Sequence, residues 1–496
     1  MGAEMTTKSL AELGLSARGG QRADITGLSV DSRNVKPGHL FAALPGSRMH
    51  GGEFIQYALR MKAAAILTDS EGAKIAKTEL EASDAALVVT EDPRMALAYA
   101  AALWFGAQPD NMVAVTGTNG KTSVASFTRQ IWTLLGIEAA NLGTTGVEGA
   151  YTAPLKHTTP EPITLHNMLA KMAGAGVTHA AMEASSHGLA QRRLDGVRLS
   201  AAAFTNFTQD HLDYHASFDE YFAAKAGLFA RVLPENGTAV INLDDPRGGE
   251  MATIAQARGQ HLIRVGQSDK CDLRLTAQRF HANGQEVMFS WSGTAHTAKL
   301  RLIGGFQADN VLAAAGLAIA CGADPARVFE TFDDLETVRG RMQHAATRDN
   351  GAAVFVDFSH TPDALKSALR ALRPHVMGRI VVVFGAGGDR DTTKRKLMGQ
   401  AAAENADVVF VTDDNPRTED PAAIRAMVME GCPEAMNVGD RAEAILRGVD
   451  ALGPADALLI AGKGHETGQT VGETVLPFDD AEQASVAVAA LDGRLA

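Results

Sequence analysis

The chain has 496 residues, 46% of them hydrophobic and 21% charged, with a formal net charge of −12. That is the balance of an ordinary folded protein too long for one core, with roughly two to four domains expected. It argues against a nucleic-acid binder or a protein that adheres to anionic membrane, since both need a basic field. Cys271, Cys321 and Cys432 lie far apart without metal spacing and read as reduced, mostly structural thiols. The start, residues 1–10, lacks an apolar signal core, and no apolar run reaches membrane-spanning length. The expectation is a cytoplasmic protein without signal peptide or membrane insertion.

In chain order, three blocks separate. From about residue 20 to 107, short apolar runs such as 64–67 and 86–89 mix with helical stretches, and 105–110, with Pro109, reads as a linker. The second block opens on Met112-Val113-Ala114-Val115, followed at once by T-G-T-N-G-K-T-S, Thr116 to Ser123. A strand that breaks into a glycine-bearing turn and then a Lys-Thr helix start is a phosphate cradle. Gly117 and Gly120, with Thr118 and Asn119 between them, let backbone N–H groups approach phosphate oxygens, and the following helix turns its positive end to the same anion. Lys121 would reach the outer phosphates, and the Thr122 hydroxyl would help hold Mg²⁺. Val115 stands where the general G-x-x-x-x-G-K-[ST] pattern has its first glycine, so the loop is the shorter G-T-N-G-K-T. The order strand, loop, Lys-Thr and helix points to a nucleoside triphosphate as the energy source; a chance Gly-rich turn between strand and helix is the alternative.

Strand-like runs follow at 179–182, 201–204 and 239–241 with helical segments between, which predicts a mostly parallel, doubly wound sheet. Glu183 ends one run, where a carboxylate would sit to hold Mg²⁺ or, as a lone strand-end Glu more often does, cap a helix. Residues 206–215, N-F-T-Q-D-H-L-D-Y-H, gather His211, Asp213 and His215, and Lys225 lies ten positions further on. The spacing fits no standard zinc motif, and the cluster reads either as a metal site or as a polar helix start.

The third block begins near Arg339-Gly340-Arg341. Its apolar runs, 353–356, 379–384, 408–411 and 457–460, each end in a polar or Gly-rich loop: 357–362, 385–391, 412–417 and 462–466. Open α/β sheets bind ligands outside the carboxyl ends of their strands, so these loops mark a binding edge. Ordinary capped turns of the same composition are the alternative.

The motifs G-T-N-G-K-T, E-A-S-S-H-G, T-N-F-T-Q-D-H-L-D-Y-H with the later Y-F-A-A-K, and D-F-S-H-T-P-D-A-L occur in that order. Together they make the chain, from Val30 to Glu466, similar to the Mur ligases of bacterial peptidoglycan synthesis. Asp414-Asn415-Pro416-Arg417 resembles the diaminopimelate-recognition motif of that family. The resemblance implies a three-domain α/β protein. A smaller N-terminal UDP-binding domain would cover 1–108. A central P-loop domain with a doubly wound, mostly parallel sheet would cover 109–338. A C-terminal Rossmann-like α/β domain would cover 339–496, with a hinge near 338–341.

The implied reaction is ATP-dependent amide ligation. ATP phosphorylates the γ-carboxylate of D-glutamate in UDP-MurNAc-L-Ala-D-Glu, and meso-diaminopimelate displaces the phosphate as the incoming amine. By the same resemblance, ATP contacts run over Gly117, Thr118, Asn119, Gly120, Lys121, Thr122 and Ser123 and extend to Asn310, Arg341, Asp357 and His360. Gln307 stands at the first Asn of the usual G-x-x-N-x-x-N pattern. The nucleotide-sugar would meet Val30, Ser32, Ser47, Arg48 and Met49, and its peptide Thr158, Thr159, Ser185, Gln191 and Arg193, with His157 in place of the usual Asn. Thr122, Glu183, His211 and Lys225 would hold Mg²⁺, with Lys225 carbamylated by CO₂, since an ammonium cannot ligate a cation. Lys121, His211 and Lys225 are the expected catalytic residues.

Diaminopimelate is implied to meet Arg390, Asp414, Asn415, Pro416, Arg417, Gly462 and Glu466. Charge matching agrees with this set. A distal carboxylate calls for a guanidinium fork, which Arg417 and Arg390 offer, and Glu466 could take the distal ammonium. An Arg417 left unpaired by lysine would disfavour that amino acid by about 10³-fold or more. The expected partners are small molecules only, with no nucleic acid, and the expected state is a monomer. The competing readings are a sister ligase that adds lysine or folate-linked glutamate, a P-loop kinase that stops at phosphoryl transfer, and a nucleotide switch without chemistry.

Overall fold

The computed structural model describes residues 7–46, 49–208 and 214–494. The chain divides into two compact units, Met1–Cys271 with Ala313–Pro325, and Asp272–Leu312 with Ala326–Ala496. Each is an α/β assembly.

The first unit holds a 4-stranded sheet made of Gly27–Ser29, His39–Ala42, Ala65–Thr68 and Ala86–Val89, all parallel. Phe105 ends the helix Pro93–Phe105, and residues 106–110 run without regular structure into the next strand, inside the first unit. A larger sheet follows. Its strands lie in the order His261–Gly266, Thr238–Asn242, Leu199–Phe204, Asn111–Thr116, His179–Glu183, Ala139–Gly143 and Gly146–Gly149. All neighbours in this series are parallel except the final hairpin. The phosphate-loop strand sits in the middle. The chain runs to one side of it through 139–183 and to the other through 199–266. Its carboxyl end is therefore the point where strand order reverses, which is where a doubly wound sheet opens a crevice for a ligand.

The second unit carries an antiparallel meander, Leu273–His281, Gly284–Trp291 and Thr294–Leu300. It also carries a 6-stranded sheet in the order Gln343–Thr347, Ala353–Asp357, Ala457–Ala461, Ile380–Phe384, Val408–Val411 and Met436–Asn437. Only the first of these strands is antiparallel. Its central strands read as unbroken apolar runs because both faces are covered. Ile380, Val382, Phe384 and Leu459 belong to one core, and Val381, Val383, Leu458 and Ile460 to another.

Local chemistry starts the helices where the site needs them. Asp92, Glu161, Thr361 and Asp420 each cap a helix whose next residue is proline, and each side-chain oxygen accepts a backbone N–H of the first turn. Each such cap is worth about 1 kcal/mol. No helix among the described residues is long and apolar enough to cross a membrane.

Candidate active site

The phosphate loop is built as its sequence requires. Gly117 has φ 149°, and a Cβ there would lie 1.9 Å from Thr205 Oγ1. Gly120 has φ 87° and precedes the helix Lys121–Leu134. Neither position accepts a side chain without strain, so the backbone stays open to an anion. The neighbouring strand end braces the loop. Asn206 O accepts Thr118 N at 2.9 Å, Asn206 Oδ1 accepts Asn119 N at 2.9 Å, and Thr205 Oγ1 donates to Asn119 O at 2.6 Å. Thr118 Oγ1 also meets Tyr221 Oη at 3.2 Å.

Two lysines converge on this loop. Lys121 Nζ donates to Gly117 O at 3.0 Å and Thr118 O at 2.8 Å. Lys225, 1% exposed, donates from Nζ to the same Gly117 O at 2.6 Å and lies 4.5 Å from the centre of the Tyr221 ring. Glu183, 2% exposed, ends its strand beside them. Its carboxylate accepts Thr122 Oγ1 at 2.9 Å, Thr144 N at 2.7 Å and Thr144 Oγ1 at 3.2 Å. These are hard oxygen donors of the kind Mg²⁺ selects. Ser123 is buried in the first turn of the helix.

Thr159 joins the strand end to the expected peptide contacts. Its Oγ1 donates to Glu183 O at 2.9 Å and accepts Ser185 N at 3.0 Å. Arg193 donates to Thr159 O at 2.5 Å and to Gln191 Oε1 at 2.8 Å, while Gln191 Nε2 donates to Tyr214 Oη at 3.0 Å. Thr158 Oγ1 meets Thr144 Oγ1 at 3.0 Å, and His157 is exposed. All the sequence-derived residues on this side fall into one connected patch except His211, which lies outside the described residues, as does Asp213. Among the described residues no group of His, Cys, Asp and Glu assembles a metal site by itself.

Val30, Ser32 and Met49 line a cavity of about 960 Å³ at the carboxyl edge of the N-terminal sheet, together with Phe54, Tyr57 and Met61. Ser47 and Arg48 lie outside the described residues. Asp31 caps the turn at Ser32 and pairs with Arg33 at 2.7 Å; the Arg33 guanidinium holds its carboxyl below the usual range.

In the second unit, the loops after Ile380–Phe384, Val408–Val411 and Ala457–Ala461 meet. Arg417 has φ 51° and donates from Nη1 to Gly388 O at 2.6 Å. Pro416 is buried, and a Cβ on Gly388 would lie 1.9 Å from Pro416 O, so the two loops touch backbone to backbone. Arg390 is exposed beside Gly387. Asn415 Nδ2 donates to Glu466 Oε2 at 2.9 Å. Gly462 approaches Asp414 so closely that a Cβ would lie 2.4 Å from Asp414 Oδ2. The expected diaminopimelate residues thus form one cluster.

The other ATP expectations also fall in this unit. Asp357 accepts Met342 N at 2.7 Å and Ser359 N at 2.9 Å, Arg341 stacks 4.9 Å over Phe358, and His360 Nδ1 bonds Phe358 O at 2.7 Å. Asn310 donates to Gln307 Oε1 at 3.0 Å, so the departure at Gln307 is absorbed by an amide pair.

Sequence reasoning did not select Thr144, Thr205 or Lys463, which hold Glu183, the phosphate loop and Asn415. Thr205 opens the T-N-F-T-Q-D-H-L-D-Y-H motif and Thr144 follows the strand Ala139–Gly143, positions at strand ends that could have flagged them. Lys463 carries no local sign.

Three family models match the chain: Mur ligase family, catalytic domain, over residues 24–104; Mur ligase middle domain, over 115–318; and Mur ligase, glutamate ligase domain, over 340–464. The UDP-N-acetylmuramoyl-L-alanyl-D-glutamate–2,6-diaminopimelate ligase of Bradyrhizobium diazoefficiens is 48% identical over 94% of this chain and 95% of its own. A solved structure of a ligase with that same name is 32% identical, with TM-score 0.72, covering 98% of this chain and 99% of the other. The MurF ligase from Thermotoga maritima in complex with ADP shares the fold at TM-score 0.59 and 17% identity over 95% of this chain and 98% of the other.

Proposed function

The chain belongs to the Mur ligase family, and from that premise we propose that it is the ATP-dependent ligase that joins 2,6-diaminopimelate to the D-glutamate γ-carboxylate of UDP-MurNAc-L-Ala-D-Glu, in peptidoglycan precursor synthesis. The observation that carries the amino-acid assignment is the Asn415–Glu466 pair beside Arg417, which offers an amide, a carboxylate and a guanidinium on touching loops.

A carboxylate resists an amine because it has no leaving group. One carboxylate oxygen attacks the γ-phosphorus, the bond to ADP breaks, and an acyl phosphate forms. The neutral amine then attacks the carbonyl carbon, inorganic phosphate leaves, and the nitrogen loses a proton. The protein's task is to hold two anions together while charge moves between them. The open backbone from Gly117 to Ser123 would cradle the phosphates. Lys121, now on loop carbonyls, would turn to the phosphate oxygens.

The oxygen donors of Thr122 and Glu183 fit Mg²⁺, which would offset phosphate charge when bound. Lys225 fits a carbamate: it is buried, and it shares Gly117 O with Lys121. Addition of its neutral amine to CO₂, with loss of a proton, replaces one of two neighbouring cations by an anion and leaves one N–H for Gly117 O. His211 would complete that metal set. The cavity at Ser32 and Met49 would take the uridine end. We read the enzyme as a cytoplasmic monomer acting on small molecules.

The test is phosphate release from ATP with each substrate withheld in turn. Release should require both UDP-MurNAc-dipeptide and an amino acid. A phosphorylated product that persists without any amine would instead identify a kinase.

A further inference from the structure

Lys463 is 0% exposed, an unusual state for a lysine. Its Nζ lies 3.2 Å from Asn415 Oδ1 and 3.3 Å from Glu466 Oε2, and it also donates to Gly468 O. Three acceptors satisfy the three protons of an ammonium. A second donor meets the same amide oxygen: Thr470 N, from the hairpin Gly468–Val471 and Thr474–Pro477, donates to Asn415 Oδ1 at 2.8 Å. An ammonium and a backbone N–H can only donate. Their convergence therefore decides which end of the Asn415 amide is oxygen, a choice that hydrogen-bond partners alone settle.

We propose that Lys463 is a positioning residue for amino-acid selection: it locks the Asn415 amide with its nitrogen toward Glu466 and holds Glu466 by one oxygen. This rests on the diaminopimelate reading of the Asn415–Arg417 loop and deepens it. With Oδ1 doubly held, Nδ2 gives one proton to Glu466 Oε2 and keeps a second for an incoming carboxylate. Glu466 Oε2 is occupied from two sides. Its Oε1 makes no hydrogen bond among the described residues, and the side chain is 37% exposed, so that oxygen is left for an incoming ammonium. The pair thus presents a donor beside an acceptor, which matches the ammonium and carboxylate carried on one carbon of an amino acid. The hairpin adds to the hold on the loop: Gln469 Nε2 donates to Asp414 O at 2.7 Å, and Arg417 N donates to Thr470 O at 3.1 Å.

The experiment is a double-mutant cycle on the full chain, read by steady-state kinetics with diaminopimelate, ATP and the nucleotide-dipeptide varied separately. Lys463→Met should raise KM for diaminopimelate at least tenfold while leaving KM for ATP within about twofold. In the Asn415→Ala background the same change should add clearly less, because the amide it orients is gone and only its hold on Glu466 remains. Equal effects of Lys463→Met in both backgrounds, or an unchanged KM for diaminopimelate, would overturn the proposal. Asn415→Asp provides a test that leaves Lys463 in place. An oxygen where Nδ2 now stands would repel both Glu466 and the ligand carboxylate, so this variant should be worse for diaminopimelate than Asn415→Ala. An aspartate variant as good as or better than alanine would mean the amide is turned the other way. If the native enzyme used no diaminopimelate at all, the parent reading would fail before the cycle began.

Discussion

Lys121 and Lys225, 104 positions apart in the chain, donate to one and the same carbonyl oxygen, Gly117 O, at 3.0 and 2.6 Å. Two ammonium groups around one neutral acceptor repel each other, and the burial of Lys225 removes the water that would screen them. The proposed carbamylation of Lys225 would put an anion there in place of one of the two cations. Intact-protein mass spectrometry at neutral pH should show an added CO₂ that peptide mapping assigns to Lys225, and Lys225→Ala should lose activity by about 10²-fold or more. Full activity of Lys225→Ala in bicarbonate-free buffer would remove the carbamate from the account.

Glu183 is the carboxylate on which Thr122 and Thr144 converge. Glu183→Gln keeps the shape and one acceptor but removes the charge. The Mg²⁺ concentration for half-maximal rate should rise by about 10- to 100-fold, with the thermal midpoint little changed. An unchanged Mg²⁺ requirement would place the metal elsewhere.

Arg417→Ala removes the guanidinium while leaving the phosphate loop intact. The efficiency with diaminopimelate, kcat/KM, should fall by about 10³-fold, and ATP binding measured by calorimetry should stay within twofold. Arg417 has φ 51°, so Arg417→Gly tests the side chain without backbone strain and should show the same loss.

His166, 1% exposed in the helix Pro162–Gly174, has no hydrogen-bond partner for Nε2 among the described residues. Burial, helped by the Arg198 charge, pushes its pKa down from 6.5 to about 4. Between those values the unfolded chain takes up the proton and the folded chain does not, so stability falls as pH drops from 6.5 toward 4. The loss at the acid end is about 3 kcal/mol from this group. Denaturant unfolding at pH 7 and pH 4.5 should show it, and His166→Gln should flatten that part of the slope. An unchanged slope in the variant would contradict a neutral buried His166.

The elements that carry the site were legible in the sequence because they are local. The run 112–115, the T-G-T-N-G-K-T turn and the Lys-Thr helix start are contiguous, and the strands at 353–357, 380–384, 408–411 and 457–461 announce themselves by unbroken apolar runs. The meander at 273–300 was not legible. Its buried residues Leu273, Leu275, Val287, Phe289, Ala298 and Leu300 are diluted among Arg, Gln and Thr on the other face. The hairpin 468–477 buries none of its residues fully, and it exists because Thr470 and Gln469 bond the loop at 414–417. Lys463 reads as a loop lysine until Asn415, 48 positions earlier, is seen to sit on it.

Selection of a diamino acid by its far end shows most plainly when purified protein is offered ATP, UDP-MurNAc-L-Ala-D-Glu and either diaminopimelate or L-lysine, and the joined product is measured by mass. Product should form with diaminopimelate, and the efficiency with lysine should be lower by about 10³-fold. Equal rates with the two amino acids would contradict that selection.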